Sequence, residues 1–259
     1  MDSQATDVEV AVRAAMVGAA VVRERFGRAR VEVRKSETDF ATDADVAAEL
    51  AIREVIRAER PEDGFLGEES GESTGASGRT WLVDPLCGTL NYAARTTLVA
   101  VNVALKGQSG VEAAAVADPF LDEVFWTDGN AAQVRRGGSD SPARPSAETR
   151  LVDVNLDGAV IGSALLADRE FASTYGPRVV SSTLAVAWVA DGRRAAYVTE
   201  GDLRDSVHFA AGIALCEAAG CVVSGIEGQP LHTGAGGLVA AADRATHDHL
   251  VGILRRIRG

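Results

Sequence analysis

Apolar residues recur at helical spacing twice near the start of the chain. Residues 8–26 and 44–60 both carry this pattern, which predicts two amphipathic helices that pack together on one side of a sheet. Thr42 or Asp43 can serve as the N-cap of the second helix, and Pro61 follows its end. Alternating or continuous apolar runs then predict strands at 80–83, 98–105, 110–117 and 123–127, the last three as an antiparallel meander.

The second half of the chain alternates between the two kinds of element. Residues 139–149 are rich in Ser, Pro and Ala, which indicates an exposed connector. We therefore predict an N-terminal lobe at 1–145 and a C-terminal α/β lobe at 146–259. In the C-terminal lobe the pattern predicts strands at 151–161, 179–181 and 195–198, and helices at 185–191, 209–219 and 247–257.

Size and charge narrow the class of protein. The 259 residues can bury a sizeable core, and the net charge of -11 argues against a general nucleic-acid binder. The first residues lack the basic and apolar regions of a signal peptide, and no apolar run is long enough to cross a bilayer. Three cysteines do not indicate a disulfide framework. These features predict a cytoplasmic protein that binds neither membrane nor nucleic acid.

Three motifs carry the chemical signal. The stretch WLVDPLCGTLNY occupies residues 81–92, GEES forms an acidic segment at 67–70, and VHFAAG occupies 207–212. Together they resemble the inositol monophosphatase superfamily, and Lys35 with residues 41–43 and 178–183 extends the resemblance over nearly the whole chain. The resemblance implies an α/β fold of α+β layered type, in which helix pairs alternate with sheets as an αβαβα sandwich.

The chain departs from the family pattern at two positions. Cys87 and His208 stand where the family has aspartates that complete the shell of a second magnesium ion, and the position of Asp84 bridges both ions. Thiolate and imidazole are poor ligands for Mg²⁺, so we expect the second site to be lost. Glu68, Asp84 and the Leu86 carbonyl can still hold one ion, although our first expectation is a vestigial metal site with no bound metal or other cofactor.

The family fold implies that Cys87 and His208 lie together, which favours a nucleophile and its base. Cys87 precedes a predicted helix, where backbone N–H groups lower the pKa of a thiol. Asp118 is the first candidate for the group that orients the imidazole, with Asp205 and Asp84 as alternatives. The backbone N–H groups of Gly88 and Thr89 are candidates for an oxyanion hole.

This substitution pattern is similar to the stand-alone Dieckmann cyclases of tetramate and pyridone biosynthesis. The resemblance implies that Cys87 takes a β-ketoacyl-aminoacyl chain from an acyl or peptidyl carrier protein, and that ring closure releases a tetramic acid or a pyridone. Candidate docking points for the acidic carrier are the basic clusters at 135–136, 193–194 and 255–258. Dimers are common on this scaffold, which implies a possible homodimer.

Three alternatives stay open. Glu68, Asp84 and Thr89 fit a divergent Mg-dependent phosphomonoesterase that acts on an inositol, sugar or nucleotide phosphate. A catalytically dead pseudophosphatase would retain the fold to bind a ligand or partner. Cys87, His208, Asp84 and Glu68 also have ligand types that zinc accepts.

Overall fold

The computed structural model describes residues 5–28, 30–34, 40–157 and 160–259. Lys35 lies outside these residues. Thr6 and Thr42 each cap a helix through a capping box, which fixes where the two N-terminal helices begin. Both helices end within a residue of the predicted positions. The first elements are α1 (Asp7–Arg25), β1 (Val31–Arg34), β2 (Phe40–Thr42) and α2 (Asp43–Glu59).

The larger sheet follows, with eight strands among the described residues. Its order is β10-β9-β8-β7-β6-β5-β3-β4; β3 and β5 are parallel, and β5 to β10 form an antiparallel meander. The predicted meander is confirmed, but part of the predicted connector is a strand paired with its neighbour. The elements are β3 (Gly64–Gly67), β4 (Gly71–Ser73), β5 (Thr80–Cys87), α3 (Thr89–Ala93), β6 (Ala100–Gly107), β7 (Gly110–Asp118), β8 (Glu123–Thr127), β9 (Ala132–Arg136) and β10 (Ser139–Pro142).

The remaining strands build a second sheet, in the order β12-β11-β13-β15-β14. The strand predicted at 151–161 is too long, because it ends at Val154 and a helix begins at Val160. The elements are β11 (Leu151–Val154), α4 (Val160–Ala167), α5 (Arg169–Thr174), β12 (Gly176–Val179), α6 (Leu184–Ala190), β13 (Ala196–Thr199), α7 (Ala210–Ala219), β14 (Val222–Ser224), β15 (Leu238–Ala241) and α8 (Arg244–Arg258).

Alternate side chains of the larger sheet face two different cores. Trp81 and Val83 pack with α1 and α2, whereas Leu82 packs with α6 and α7. The smaller sheet packs the face that is turned away from α6 and α7 against α4, α5 and α8. The result is the layered αβαβα arrangement, so the predicted fold class is confirmed. The division into lobes at 145/146 stays a prediction. Across the described ranges, no helix has both the length and the apolar character that crossing a bilayer requires.

Candidate active site

Strand β5 delivers the first two functional side chains. Asp84 is fully buried, and its Oδ1 accepts the Leu86 N–H at 3.0 Å. The pairing with β6 shifts register between Asp84 and Cys87, which turns Cys87 toward a cavity. Gly88 has φ of 105° and begins α3; a Cβ there would lie 3.0 Å from the Leu98 carbonyl oxygen. Only glycine suits this turn, and it fixes the direction of the Cys87 side chain.

His208 reaches the same place from the segment before α7. Its Nδ1 lies 2.7 Å from Asp84 Oδ2, and the ring also contacts the Cys87 thiol. One ligand atom from each of the three residues lies within 4.8 Å of the others. The Thr183 N–H donates to Cys87 Sγ at 3.4 Å. The structure therefore brings Cys87 and His208 together as the family resemblance implies.

The charge in this cluster lies on the imidazole. Burial alone would lower the pKa of His208, but the hydrogen bonds to Asp84 and Cys87 raise it to about 12. Burial and the Asp84 charge together raise the pKa of the Cys87 thiol. The His208 side chain is 41% exposed, so solvent screens part of this effect. The directions of the shifts favour an imidazolium paired with the Asp84 carboxylate, beside a protonated Cys87 thiol. The expectation of a lowered thiol pKa is wrong, because α3 has only five residues and burial dominates.

The third member of the cluster is Asp84, not Asp118. The Asp118 carboxylate accepts the N–H groups of Phe120 and Leu121 at 2.8 and 3.0 Å, so it caps the turn after β7. Asp205 pairs with Lys106 at the surface. The imidazole of His208 is oriented by the carboxylate nearest to it in the fold, which sequence spacing could not identify.

One buried amide was missed by the sequence analysis. Asn102 is fully buried on β6, and its Nδ2 donates to Thr183 Oγ1 at 2.9 Å and contacts Asp84 Oδ2 at 3.5 Å. Asn102 therefore links Asp84, on the same strand as Cys87, to Thr183, whose N–H bonds the Cys87 sulfur. The available signal was an amide side chain between two valines in an otherwise apolar strand.

Oxygen-bearing groups also line the cavity, and a buried carboxylate lies next to them. Glu68 and Leu86 line it, and Thr89 Oγ1 donates to Asp45 Oδ1 at 3.0 Å and to the Leu86 carbonyl at 3.2 Å. Burial raises the pKa of Asp45. The cavity holds about 540 Å³, which lies within the range of small-molecule sites. Gly88 and Thr89, the candidates for an oxyanion hole, line it as well.

The acidic loop between β3 and β4 is fixed by a carboxylate from α2. Glu49 is buried, and its two oxygens accept the N–H groups of Glu69 and Ser70, each at 2.8 Å. A Cβ on Gly67 would lie 2.5 Å from this carboxyl group, so glycine is needed for the close approach. Glu68 lies between Gly67 and Glu69 and is positioned through these contacts.

The basic clusters expected to dock a carrier protein are neutralised by neighbouring acids. Arg136 and Arg193 both pair with Glu123 and Asp191 at 2.5 to 3.0 Å. A paired guanidinium offers little field to an incoming acidic protein. The other pairs are Arg135 with Asp140, Arg194 with Asp153, Arg256 with Asp168 and Glu170, and Arg258 with Glu227.

The fold and this cavity define a class of protein, and comparisons with known proteins agree. The sequence profile described as "Inositol monophosphatase family" matches residues 3–258, so the chain belongs to the inositol monophosphatase family. It is 33% identical over 257 residues to "Nus factor SuhB" of Salmonella typhimurium, covering 91% of each chain. It is 30% identical over 237 residues to "Inositol-1-monophosphatase" of Caulobacter vibrioides, covering 87% of this chain and 90% of the relative. The crystal structure of the extragenic suppressor protein suhB from Bartonella henselae superimposes with a TM-score of 0.84 at 28% identity, over 96% of this chain and 98% of that one.

These comparisons correct several predictions. The relatives' names point to phosphoric monoester hydrolysis, so the predicted Dieckmann cyclase with a Cys87 acyl-enzyme is wrong. The predicted carrier-protein partner is wrong for the same reason. The ion pairs that neutralise the basic clusters explain physically why these clusters would not dock an acidic carrier protein. The exclusion of nucleic acid as a partner is also withdrawn, because relatives matched over nine-tenths of the chain are named Nus factors.

Proposed function

We propose that the chain is a phosphoric monoester hydrolase that acts on a small phosphorylated polyol or sugar. The observation that carries the proposal is the cavity that Glu68, Leu86, Thr89 and His208 line together. Glu68 and the Leu86 carbonyl offer oxygen atoms of the kind that magnesium prefers, and the His208 imidazole lines the same cavity with its charge partly offset by Asp84. Relatives named inositol-1-monophosphatase support the substrate class.

One magnesium site fits the residues present. Glu68 and the Leu86 carbonyl line the cavity and would hold the ion together with the Asp84 carboxylate, which is buried two residues before Leu86. All three offer hard oxygen atoms. A bound Mg²⁺ supplies Lewis-acid polarisation of the phosphoryl group. A second ion does not fit. The positions that would bind it are occupied by the Cys87 thiol and the His208 imidazolium, and Asp84 Oδ2 already accepts a hydrogen bond from His208.

Two groups of this chain handle the proton and the charge of hydrolysis. The Thr89 hydroxyl lies on the cavity wall and donates to Asp45, whose raised pKa suits it to receive a proton from the attacking water through Thr89. His208 lines the cavity and, with its charge partly offset by Asp84, helps to balance the negative charge that develops on the leaving oxygen as the ester bond breaks. Cys87 stays in the proposed site as a thiol that holds the imidazolium in place.

The test is phosphate release from inositol 1-phosphate and from sugar phosphates, measured against Mg²⁺ concentration. We expect release that requires Mg²⁺, saturates without cooperativity and stops with a chelator. Thr89→Val should lower kcat by roughly 100-fold, whereas Thr97→Val, an exposed threonine a few residues on, should not. A folded chain that releases no phosphate from any of these substrates would refute the proposal.

A second candidate is a non-catalytic role, favoured by the loss of the second metal corner and by relatives that carry the name Nus factor. Replacing Asp84 by asparagine in the host separates the two. Retention of the biological function by a chain without phosphatase activity would favour the non-catalytic role. A cytoplasmic location and a homodimer stay predictions; light scattering on the purified chain measures the latter.

A further inference from the structure

The C-terminus of α7 ends in a Schellman motif. Gly220 has φ of 85°, and its N–H donates to the Glu217 carbonyl at 3.1 Å. The Cys221 N–H reaches back to the Cys216 carbonyl at 2.9 Å. In this motif the two residues joined by the longer bond bring their side chains together, usually as an apolar pair. The motif therefore fixes Cys216 and Cys221 side by side.

Here the contact is between two thiols. The Cys216 and Cys221 thiols interact directly, and Cys216 donates its S–H to the Val186 carbonyl at 3.4 Å. Cys216 is fully buried under α6, while Cys221 is half-buried. The interaction with Cys221 and burial both raise the pKa of Cys216. Cys221 is the more exposed of the two, so it is the thiol that a reagent from solvent meets first.

We propose that Cys216 and Cys221 are a site of reversible disulfide formation, with Cys221 as the attacking thiol and Cys216 as the resolving thiol. The oxidant is a small disulfide such as glutathione disulfide. Cys221 loses its proton, its sulfur bonds to one glutathione sulfur, and one glutathione thiol leaves. The Cys216 sulfur then displaces the second glutathione, so the chain loses two hydrogens and two glutathione thiols form.

The third cysteine does not compete for this partner. Cys87 lies in the active-site cluster, where its sulfur contacts His208 and Thr183. The other end of α7 is capped by Phe209, which lines the cavity next to His208. The disulfide would thus lock one end of the helix whose other end borders the site. This inference is independent of the proposed phosphatase activity.

Mass spectrometry of the native full-length chain tests the proposal. After incubation with glutathione disulfide, alkylation and trypsin, residues 205–244 form one peptide that contains both cysteines and excludes Cys87. We expect this peptide without alkyl groups and about 2 Da lighter than the reduced form, with reversal by dithiothreitol. Cys216→Ser should instead accumulate a glutathione adduct on Cys221, and Cys221→Ser should form no disulfide.

The contribution of the fold is measured by comparing folded chain with chain in urea. Resolution of the mixed disulfide should be at least about tenfold faster in the folded chain, because the motif holds the two residues side by side. Equal rates would overturn the geometric argument. A wild-type chain that keeps glutathione on Cys221 with Cys216 open to alkylation, or that keeps both thiols alkylatable at equilibrium, would overturn the site itself.

Discussion

Replacing Glu49 by alanine tests how the acidic loop is held. The Glu49 carboxylate comes from α2 and accepts two N–H groups of the loop, those of Glu69 and Ser70. The substitution removes both acceptors and leaves a space beneath Gly67, whose position against that carboxyl admits no side chain. We expect the loop to loosen, together with Glu68, which lies within it.

The size of the effect follows from the two hydrogen bonds. A hydrogen bond to a charged group contributes about 1.5–3 kcal/mol, so the pair contributes roughly 3–6 kcal/mol. Because the variant no longer buries a carboxylate, it avoids the desolvation penalty of that group, and this offsets part of the lost stability. A net loss of about 2–3 kcal/mol corresponds to a fall in Tm of about 4–12 °C for a chain of this size. Glu49→Gln retains one acceptor oxygen and should lose about half as much.

Thermal unfolding and amide exchange provide the assay. Glu54→Ala is the matched control, because Glu54 is exposed on the same helix and should change the free energy of unfolding by no more than about 0.5 kcal/mol. Glu49→Ala should also speed exchange of the amides at 69 and 70. If its Tm matches that of Glu54→Ala and the loop exchanges at the wild-type rate, the reasoning about the buried carboxylate is refuted.

Three further outcomes are expected. The double variant Cys87→Asp, His208→Asp should gain a second bound Mn²⁺ per chain in equilibrium dialysis, and an unchanged stoichiometry would show that other features exclude the ion. Because the folded-state pKa of His208 is raised from 6.5 to about 12, its contribution to stability is full below pH 6.5 and is lost as pH rises toward 12. The difference in Tm between wild type and His208→Gln should therefore shrink as pH rises from 6.5 toward 12. A constant difference would contradict the charge assigned to His208. Asp84→Asn should lower phosphate release by about 100-fold or more, whereas Asp118→Asn should leave it nearly unchanged; equal losses would return Asp118 to the site.

Local signals in the sequence predicted the longer helices and the central strands of the larger sheet, but not several of the short strands or the assembly of the site. The two N-terminal helices follow from apolar spacing and from threonine caps, which act within one turn. Strand β10 was not predicted because it is a polar edge strand, exposed along its length, and carries no apolar alternation. Pattern alone cannot distinguish such a strand from a connector.

The active-site cluster depends on contacts between distant parts of the chain. Only the family resemblance placed Cys87 near His208, since neither motif refers to the other. For the acid that meets the imidazole, the sequence favours Asp118 and leaves Asp205 and Asp84 as alternatives, whereas the structure has Asp84 in that place. The rise in the pKa of the Cys87 thiol was not predicted either, because its largest cause, burial, arises only when β5 and the α7 segment meet.

The imidazolium at the cavity wall is attached to the chain, and this changes what can remove it. A dissolved ion has a dissociation constant, so dilution or a competing chelate empties its site. A side-chain cation has none, and its local concentration is fixed by the fold. The charge on His208 is removed only by loss of its proton. It therefore depends on pH and not on the concentration of a dissolved ion.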